Sequence, residues 1–250
     1  MKTFGPPSKI KALFCWSGGK DSALCLYEVL QESEYDVKYL VTTVNENFNR
    51  VSIHGVREDL LEKQAAAIGI PLRKVYVNEG SNAEYERQMG LCFRQARAEG
   101  IEHVIFGDIF LEDLRVYREK QLATQGMKAV FPLWKQDTRK LISRFLELKF
   151  RTVICCVNDA WLGEDWVGKE IDSGTMLRMP EAVDACGENG EFHTFCFAGP
   201  LFKKEIKFVL GEKVYKQLLP DLKKDNVCGS EPLTKGFWYC DLISEPVSVI

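Results

Sequence analysis

Several absences narrow the reading before any motif is considered. No apolar run approaches the length that crosses a bilayer, and the N-terminus has no apolar core followed by a small-residue cleavage site. A soluble, cytoplasmic protein is expected. Basic charge is not in excess either: 33 Lys and Arg face 36 Asp and Glu, a net charge of −3. A chain of that balance has no electrostatic footprint for nucleic acid, so RNA or DNA binding would have to rest on a local patch. The densest basic stretch, Lys203 to Lys224, reads as the solvated face of a helix. Nine cysteines form no C-x-x-C pair, and Cys15, Cys25, Cys155 and Cys156 lie in apolar stretches. Reduced core thiols follow, and a zinc site of the usual spacing is excluded. Internal repeats and low-complexity linkers are missing as well.

What is present begins at Ser17-Gly18-Gly19-Lys20-Asp21-Ser22, between an apolar strand (Ile10 to Trp16) and a helical stretch (Ala23 to Gln31). A strand feeding a glycine turn feeding a helix gathers free backbone N–H groups at the positive end of a helix dipole, where an anion binds. The glycines let the backbone approach phosphates closely. Lys20 adds a cation, and Ser17 and Ser22 add hydroxyls. Asp21 is repelled by a triphosphate unless it holds a metal ion or caps the helix, which makes it the leading Mg2+ ligand candidate. Neither the Walker A spacing nor G-x-G-x-x-G is present. The hexapeptide instead resembles the PP-loop of the N-type ATP pyrophosphatases, which implies cleavage of ATP between its α- and β-phosphates.

Along the chain, strands and helices alternate: strands at 35–44, 72–77, 103–106 and 129–131, helices at 56–68, 82–99 and 114–125. Repeated β-α units imply an α/β fold, a parallel sheet with helices on both faces. Ligands then sit at the carboxyl ends of the strands, at the switch point. Both the Ser17 to Ser22 loop and the turn Gly107-Asp108 follow strand ends and are expected to face one crevice. Asp108 is a nucleotide contact or second Mg2+ ligand candidate, and His54 reads equally as a turn residue or a nucleotide contact. Beyond Pro132 the pattern changes, with a helix at 138–148 and a strongly apolar strand at 151–157. A nucleotide domain over 1–133 and a smaller C-terminal α+β domain over 134–250 are expected.

Gly187-Glu188-Asn189-Gly190-Glu191-Phe192-His193-Thr194 is the second informative segment. Asn189-Gly190 alone reads as a type I′ hairpin turn with exposed acids. Two carboxylates, an amide, an imidazole and a hydroxyl also make a substrate or ammonia site, with Glu191 and His193 on one face of an extended chain and Phe192 and Thr194 on the other. Cys186, just before it, reads as a structural thiol.

Taken together, Ser17 to Ser22, Ile53-His54-Gly55-Val56, Gln64 to Leu72, Phe106 to Ile109, Pro132-Leu133-Trp134, Gly187 to Thr194 and Gly199-Pro200-Leu201-Phe202 are similar to the diphthine–ammonia ligase family. The resemblance spans about residues 10 to 207 and implies an adenine nucleotide alpha hydrolase-like fold. It also implies an ATP-dependent carbon–nitrogen ligase that forms AMP and pyrophosphate. The carboxylate of diphthine on elongation factor 2 would be adenylated, and ammonia would displace AMP. Ser17, Gly18, Gly19, Lys20, Asp21, Ser22, His54, Gly107 and Asp108 would then hold the nucleotide, with Lys20 and Ser22 stabilising phosphate charge. Glu188, Asn189, Glu191, His193 and Thr194 would bind the acceptor and ammonia, with His193 a general base titrating near the working pH. A PP-loop enzyme acting on another small acid or on tRNA remains the alternative, as does a non-catalytic adenine nucleotide-binding protein. The missing C-x-x-C pairs lower the tRNA-thiolating option. Oligomeric state is left open, a homodimer included.

Overall fold

Ala12, Leu13 and Phe14 have no exposure at all, as expected of a strand covered on both faces. In the computed structural model, which describes residues 9–51, 54–78, 82–218 and 234–245, that strand is the centre of the first sheet. Its elements are β1 (Ile10–Cys15), α1 (Lys20–Glu32), β2 (Tyr35–Asn45), β3 (Arg50–Val51), α2 (Glu58–Ile68), β4 (Leu72–Val77), α3 (Asn82–Ala98), β5 (His103–Ile105), α4 (Glu112–Ala123) and β6 (Lys128–Val130). The predicted strands and helices are all found, with ends moved by no more than three residues. Among the elements of this first sheet, only the two-residue β3, paired antiparallel to the end of β2, was not foreseen.

Strand β1 pairs in parallel with β2 on one side and β5 on the other, β4 extends the sheet beyond β2, and β6 extends it beyond β5. The chain thus winds outward from β1 in both directions, which opens a crevice at the carboxyl ends of β1 and β5. Apolar side chains cover both faces. Leu24, Leu26, Leu60 and Leu61 from α1 and α2 pack on one, and Met89, Phe93 and Leu122 from α3 and α4 on the other.

After α5 (Thr138–Glu147), an antiparallel sheet forms from β7 (Arg151–Asn158), β8 (Phe192–Ala198), β9 (Phe208–Gln217) and β10 (Gly236–Ser244), in the order β8-β7-β10-β9. A six-residue helix, α6 (Ser173–Arg178), lies in the long β7–β8 connection. This second unit shares a core with α1 and α2, since Phe145, Phe150, Ile154, Phe195 and Cys196 belong to the same apolar cluster as Leu24 and Leu61. Polar ties add to it: Asp241 on β10 accepts from Arg57 at 2.7 and 3.0 Å and pairs with Arg50 at 2.9 Å.

Two expectations need correction. The lysine-rich stretch from Lys203 is not a helix: it enters strand β9, a mostly exposed strand at the edge of the second sheet. Asp221, Lys223 and Lys224 lie outside the described residues, as does Ile53. The Asn189-Gly190 turn is not type I′, which needs positive φ at both central residues. Gly187 and Gly190 have positive φ, Asn189 does not, and the segment before it is not a strand. Eight cysteines are described, all as free thiols, with Cys15 half-buried and the others buried. No helix among the described residues is long and apolar enough to cross a membrane.

Asp241→Asn should lower stability at neutral pH by about 1 kcal/mol, the scale of a well-formed ion pair near the surface. The Arg57 hydrogen bonds hold the Asp241 carboxyl below its ordinary range, with Arg50 adding to them. A carboxyl depressed in the folded state stabilises above its ordinary value and loses that effect as pH falls through the folded one. Denaturant melts of the two proteins should therefore differ at pH 7 and converge below about pH 3.

Candidate functional site at the switch point

The crevice is built on the turn between β1 and α1. Gly18 has φ +79°, and a Cβ there would stand 2.7 Å from Leu61 and 2.8 Å from Gln64, so α2 presses directly on the loop. Gly19 is the N-cap, and no side chain caps the helix. The first turn of α1 therefore presents amides that have no acceptor within the helix. One of them, the Lys20 N–H, donates to Thr194 Oγ1 at 3.0 Å. The two serines are turned into the loop: Ser22 Oγ donates to the Gly19 carbonyl at 3.0 Å, and Ser17 Oγ donates to Ser22 Oγ while accepting the Gly19 N–H at 3.2 Å. Gly107, after β5, lies against the backbone of Asp21 and Ser22, where a Cβ would come within 3.2 Å of Ser22 Cα.

Lys20 carries the centre of the site. It is 3% exposed, and its ammonium pairs with Asp21 Oδ2 at 2.7 Å, donates to the Cys186 carbonyl, and sits 5.2 Å above the Phe192 ring. Burial works against that charge, but Asp21, Cys186 and Glu188 more than restore it, so the ammonium is held above its ordinary range. The late segment thus closes directly on the phosphate loop. Phe192 and Thr194 both meet Lys20, while His54 Nδ1 lies 3.2 Å from the Thr194 carbonyl and its ring lies tilted against that of His193, centroids 4.7 Å apart.

The two acids of the late segment have different partners. Glu191 precedes β8 and has no exposure; its Oε1 accepts from the Asp184 N–H and the Asn189 side chain, each at 3.0 Å. Glu188 instead reaches the other unit, accepting from the Ile109 N–H at 2.7 Å and weakly from Phe110 at 3.4 Å. Burial, then the charge of Asp21, pushes the Glu188 carboxyl up to about 7, against the pull of the Ile109 amide. Asp108, read as a nucleotide contact or second Mg2+ ligand candidate, is gripped by Arg118 at 2.7 and 3.1 Å. Burial raises its proton affinity, and Arg118 opposes that. His193 is corrected as well: burial, then His54 and Lys20, hold it well below the usual imidazole range, not near the working pH. His54 falls to about 4, burial outweighing its bond to Thr194.

The sequence reading did not single out Gln64, Arg118 or the Cys186 carbonyl as parts of the site. Gln64 left a trace, since it sits three and four residues after Leu61 and Leu60 on the apolar face of α2, where a polar residue has to be accounted for. Arg118 has no local signal, because its partner comes from another loop. A backbone carbonyl such as that of Cys186 carries none at all.

A parallel sheet whose switch point holds a glycine loop, a buried lysine and the bare start of a helix defines an α/β protein of the PP-loop nucleotide-binding type. Comparison with known families narrows this. The diphthamide synthase N-terminal domain matches residues 10–129 and the diphthamide synthase C-terminal domain residues 137–225. The chain belongs to the diphthamide synthase family. Among curated relatives, the diphthine–ammonia ligase of Danio rerio is 23% identical over 212 residues, 76% of this chain and 83% of that protein. The diphthine–ammonia ligase of Homo sapiens is 24% identical over 214 residues, 76% of this chain and 79% of that protein. A solved structure, the U34-tRNA thiolase NcsA from Methanococcus maripaludis with its 4Fe-4S cluster, aligns over 56% of this chain and 57% of that one. With 20% identity and a TM-score of 0.35, that likeness says nothing about what this chain acts on.

Deprotonation of Glu188 adds a negative charge close to Lys20 and Asp21, so affinity for ATP without divalent cations should fall as pH rises from 6 to 8. Glu188→Gln should flatten that slope, as measured by calorimetric titration across the range. An unchanged slope in Glu188→Gln would assign the titration to another group.

Proposed function

We propose that the chain is an ATP-dependent amide ligase that adenylates a substrate carboxylate, releases pyrophosphate and transfers ammonia to the acyl group, with diphthine on elongation factor 2 as the acceptor class. One observation carries this reading: Lys20 is bonded at both ends to the late segment, its amide to Thr194 and its ammonium to the Cys186 carbonyl. Phosphate-binding groups and the cluster from Glu188 to Thr194 thereby form one site. The family relatives named diphthine–ammonia ligase support the same chemistry.

A carboxylate does not react with ammonia directly, because its oxygen is a poor leaving group; an acyl-adenylate supplies a good one. In the first half-reaction a carboxylate oxygen bonds to the α-phosphorus, and the bond to the β-phosphate oxygen breaks. Lys20 and the amides at the start of α1 stabilise the charge that develops there. In the second, nitrogen bonds to the acyl carbon, AMP leaves, and the nitrogen gives up a proton. Glu188 is suited to accept that proton, having a carboxyl near 7 beside the loop. His193 and His54 stay neutral and serve as hydrogen-bonding and packing groups. Glu191, buried and oriented by Asp184 and Asn189, is the group assigned to hold ammonium. Activation then falls to residues 1–133 and acceptor and ammonia binding to residues 134–250.

Magnesium fits the residues present in part. The ion typically takes one or two carboxylates plus phosphate oxygens and waters. Asp21 is partly exposed beside the loop, and its charge, with that of Asp108, raises the proton affinity of Glu188. Crowded carboxylates of this kind are relieved by a cation, and Asp21 would hold it, with Asp108 left to Arg118. When bound, the ion would neutralise phosphate charge.

Incubation of the protein with ATP, Mg2+ and diphthine-bearing elongation factor 2 or small carboxylic acids should yield AMP and pyrophosphate. ADP and phosphate as the only products would overturn the proposal. Lys20→Ala should lower pyrophosphate release about a hundredfold or more, the cost on the order of 3 kcal/mol of losing one such donor. Glu191→Gln should spare pyrophosphate release and impair amide formation, and equal loss of both would count against a separate ammonia site.

A further inference from the structure

Gln64 is completely buried, and three of its four side-chain hydrogen-bonding directions are used. Its Oε1 accepts the Trp16 indole N–H at 2.8 Å, while its Nε2 donates to the carbonyls of Gly18 at 2.9 Å and Cys196 at 2.6 Å. The orientation of the amide is fixed by its partners, since an indole N–H can only donate and two carbonyls can only accept. One side chain on α2 therefore ties together the end of β1, the first glycine of the phosphate loop and strand β8 of the second sheet.

We propose that Gln64 is the positioning residue that sets the direction of the phosphate-binding peptide, a role that rests on the nucleotide reading given above. Across a trans peptide, C=O and N–H point in opposite directions. The Gly18 carbonyl receives Gln64 Nε2 and, at 2.8 Å, the Cys196 N–H, which occupies both of its lone pairs. Fixing that carbonyl turns the Gly19 N–H to the opposite side, toward Ser17 Oγ and the start of α1. Helix α2 also packs directly on Gly18, where a Cβ would collide with Leu61 and Gln64. Gln64 directs its amide to protein partners and acts through Gly18. The loss on removing it should therefore fall on phosphate groups and leave the nucleoside alone.

The test compares Gln64→Met, similar in length but without hydrogen bonds, with the wild-type chain in calorimetric titrations against ATP, inorganic pyrophosphate and adenosine. Circular dichroism checks that each variant is folded. Gln64→Met should weaken ATP and pyrophosphate by about tenfold and adenosine by less than about twofold, the scale of losing hydrogen bonds in a buried network. Trp16→Phe removes only the donor to Oε1 and should give a smaller loss with the same preference for phosphates; it carries the test if Gln64→Met does not fold. Equal weakening of all three ligands, or no change in any, would reduce Gln64 to a core amide and overturn the proposal while the ligase reading stands. Failure of the wild-type chain to bind either ATP or pyrophosphate would overturn both.

Discussion

A buried ammonium is costly unless it is paired, and Lys20 is satisfied only by residues that come from distant parts of the chain. Asp21 is local, but the Cys186 carbonyl and the Phe192 ring arrive from the connection into β8. The second sheet is thus needed for the lysine of the first to remain charged where it is. This dependence explains why the two sheets share one apolar cluster instead of meeting across a wet interface. It also places the chemistry of phosphates and the chemistry of the late segment at the same few ångströms. A phosphate entering the crevice would compete with Asp21 for the ammonium, so the resting pair stores a charge that a ligand can redirect.

The fold was legible in the sequence because its pattern is strong and local. Apolar strands such as Ile10 to Cys15, and helices closed by glycine, as α2 is at Gly69 with φ +88°, state their type within a dozen residues. The phosphate loop was legible for the same reason. Where the reading failed, the deciding partner was remote. Asn189-Gly190 carries a strong hairpin signal, yet Asn189 spends its side chain on Glu191, and the strand that β8 pairs with is β7, more than thirty residues earlier. The lysines after Lys203 look helical by charge, but β9 exists because β10, far along the chain, pairs with it.

Some of the residues singled out in the sequence meet in the structure: Thr194 bonds Lys20, His54 lies against the Thr194 carbonyl and Gly107 packs on Asp21 and Ser22, while Asn189 and Glu191 bond each other. What sequence cannot show is environment. Asp108 reads as a free acid until Arg118 is seen against it, and His193 reads as a base near neutrality until its burial beside His54 and Lys20 is seen. Both differences follow from the same physics, because desolvation penalises whichever form is charged and only a local partner offsets it.

That physics redistributes the acid–base chemistry. Three titratable groups near the loop bear on the acid–base chemistry: His54, His193 and Glu188. Burial drives both imidazoles toward their neutral form, and each also lies near the Lys20 charge, which pushes in the same direction. The same burial drives a carboxyl the other way, and the neighbouring negative charge of Asp21 adds to it, bringing Glu188 to about 7. Burial thus moves a carboxyl and an imidazole in opposite directions, and here it brings the carboxyl, not the imidazoles, close to neutrality. The late segment supplies both residue types in His193 and Glu188, and burial decides between them.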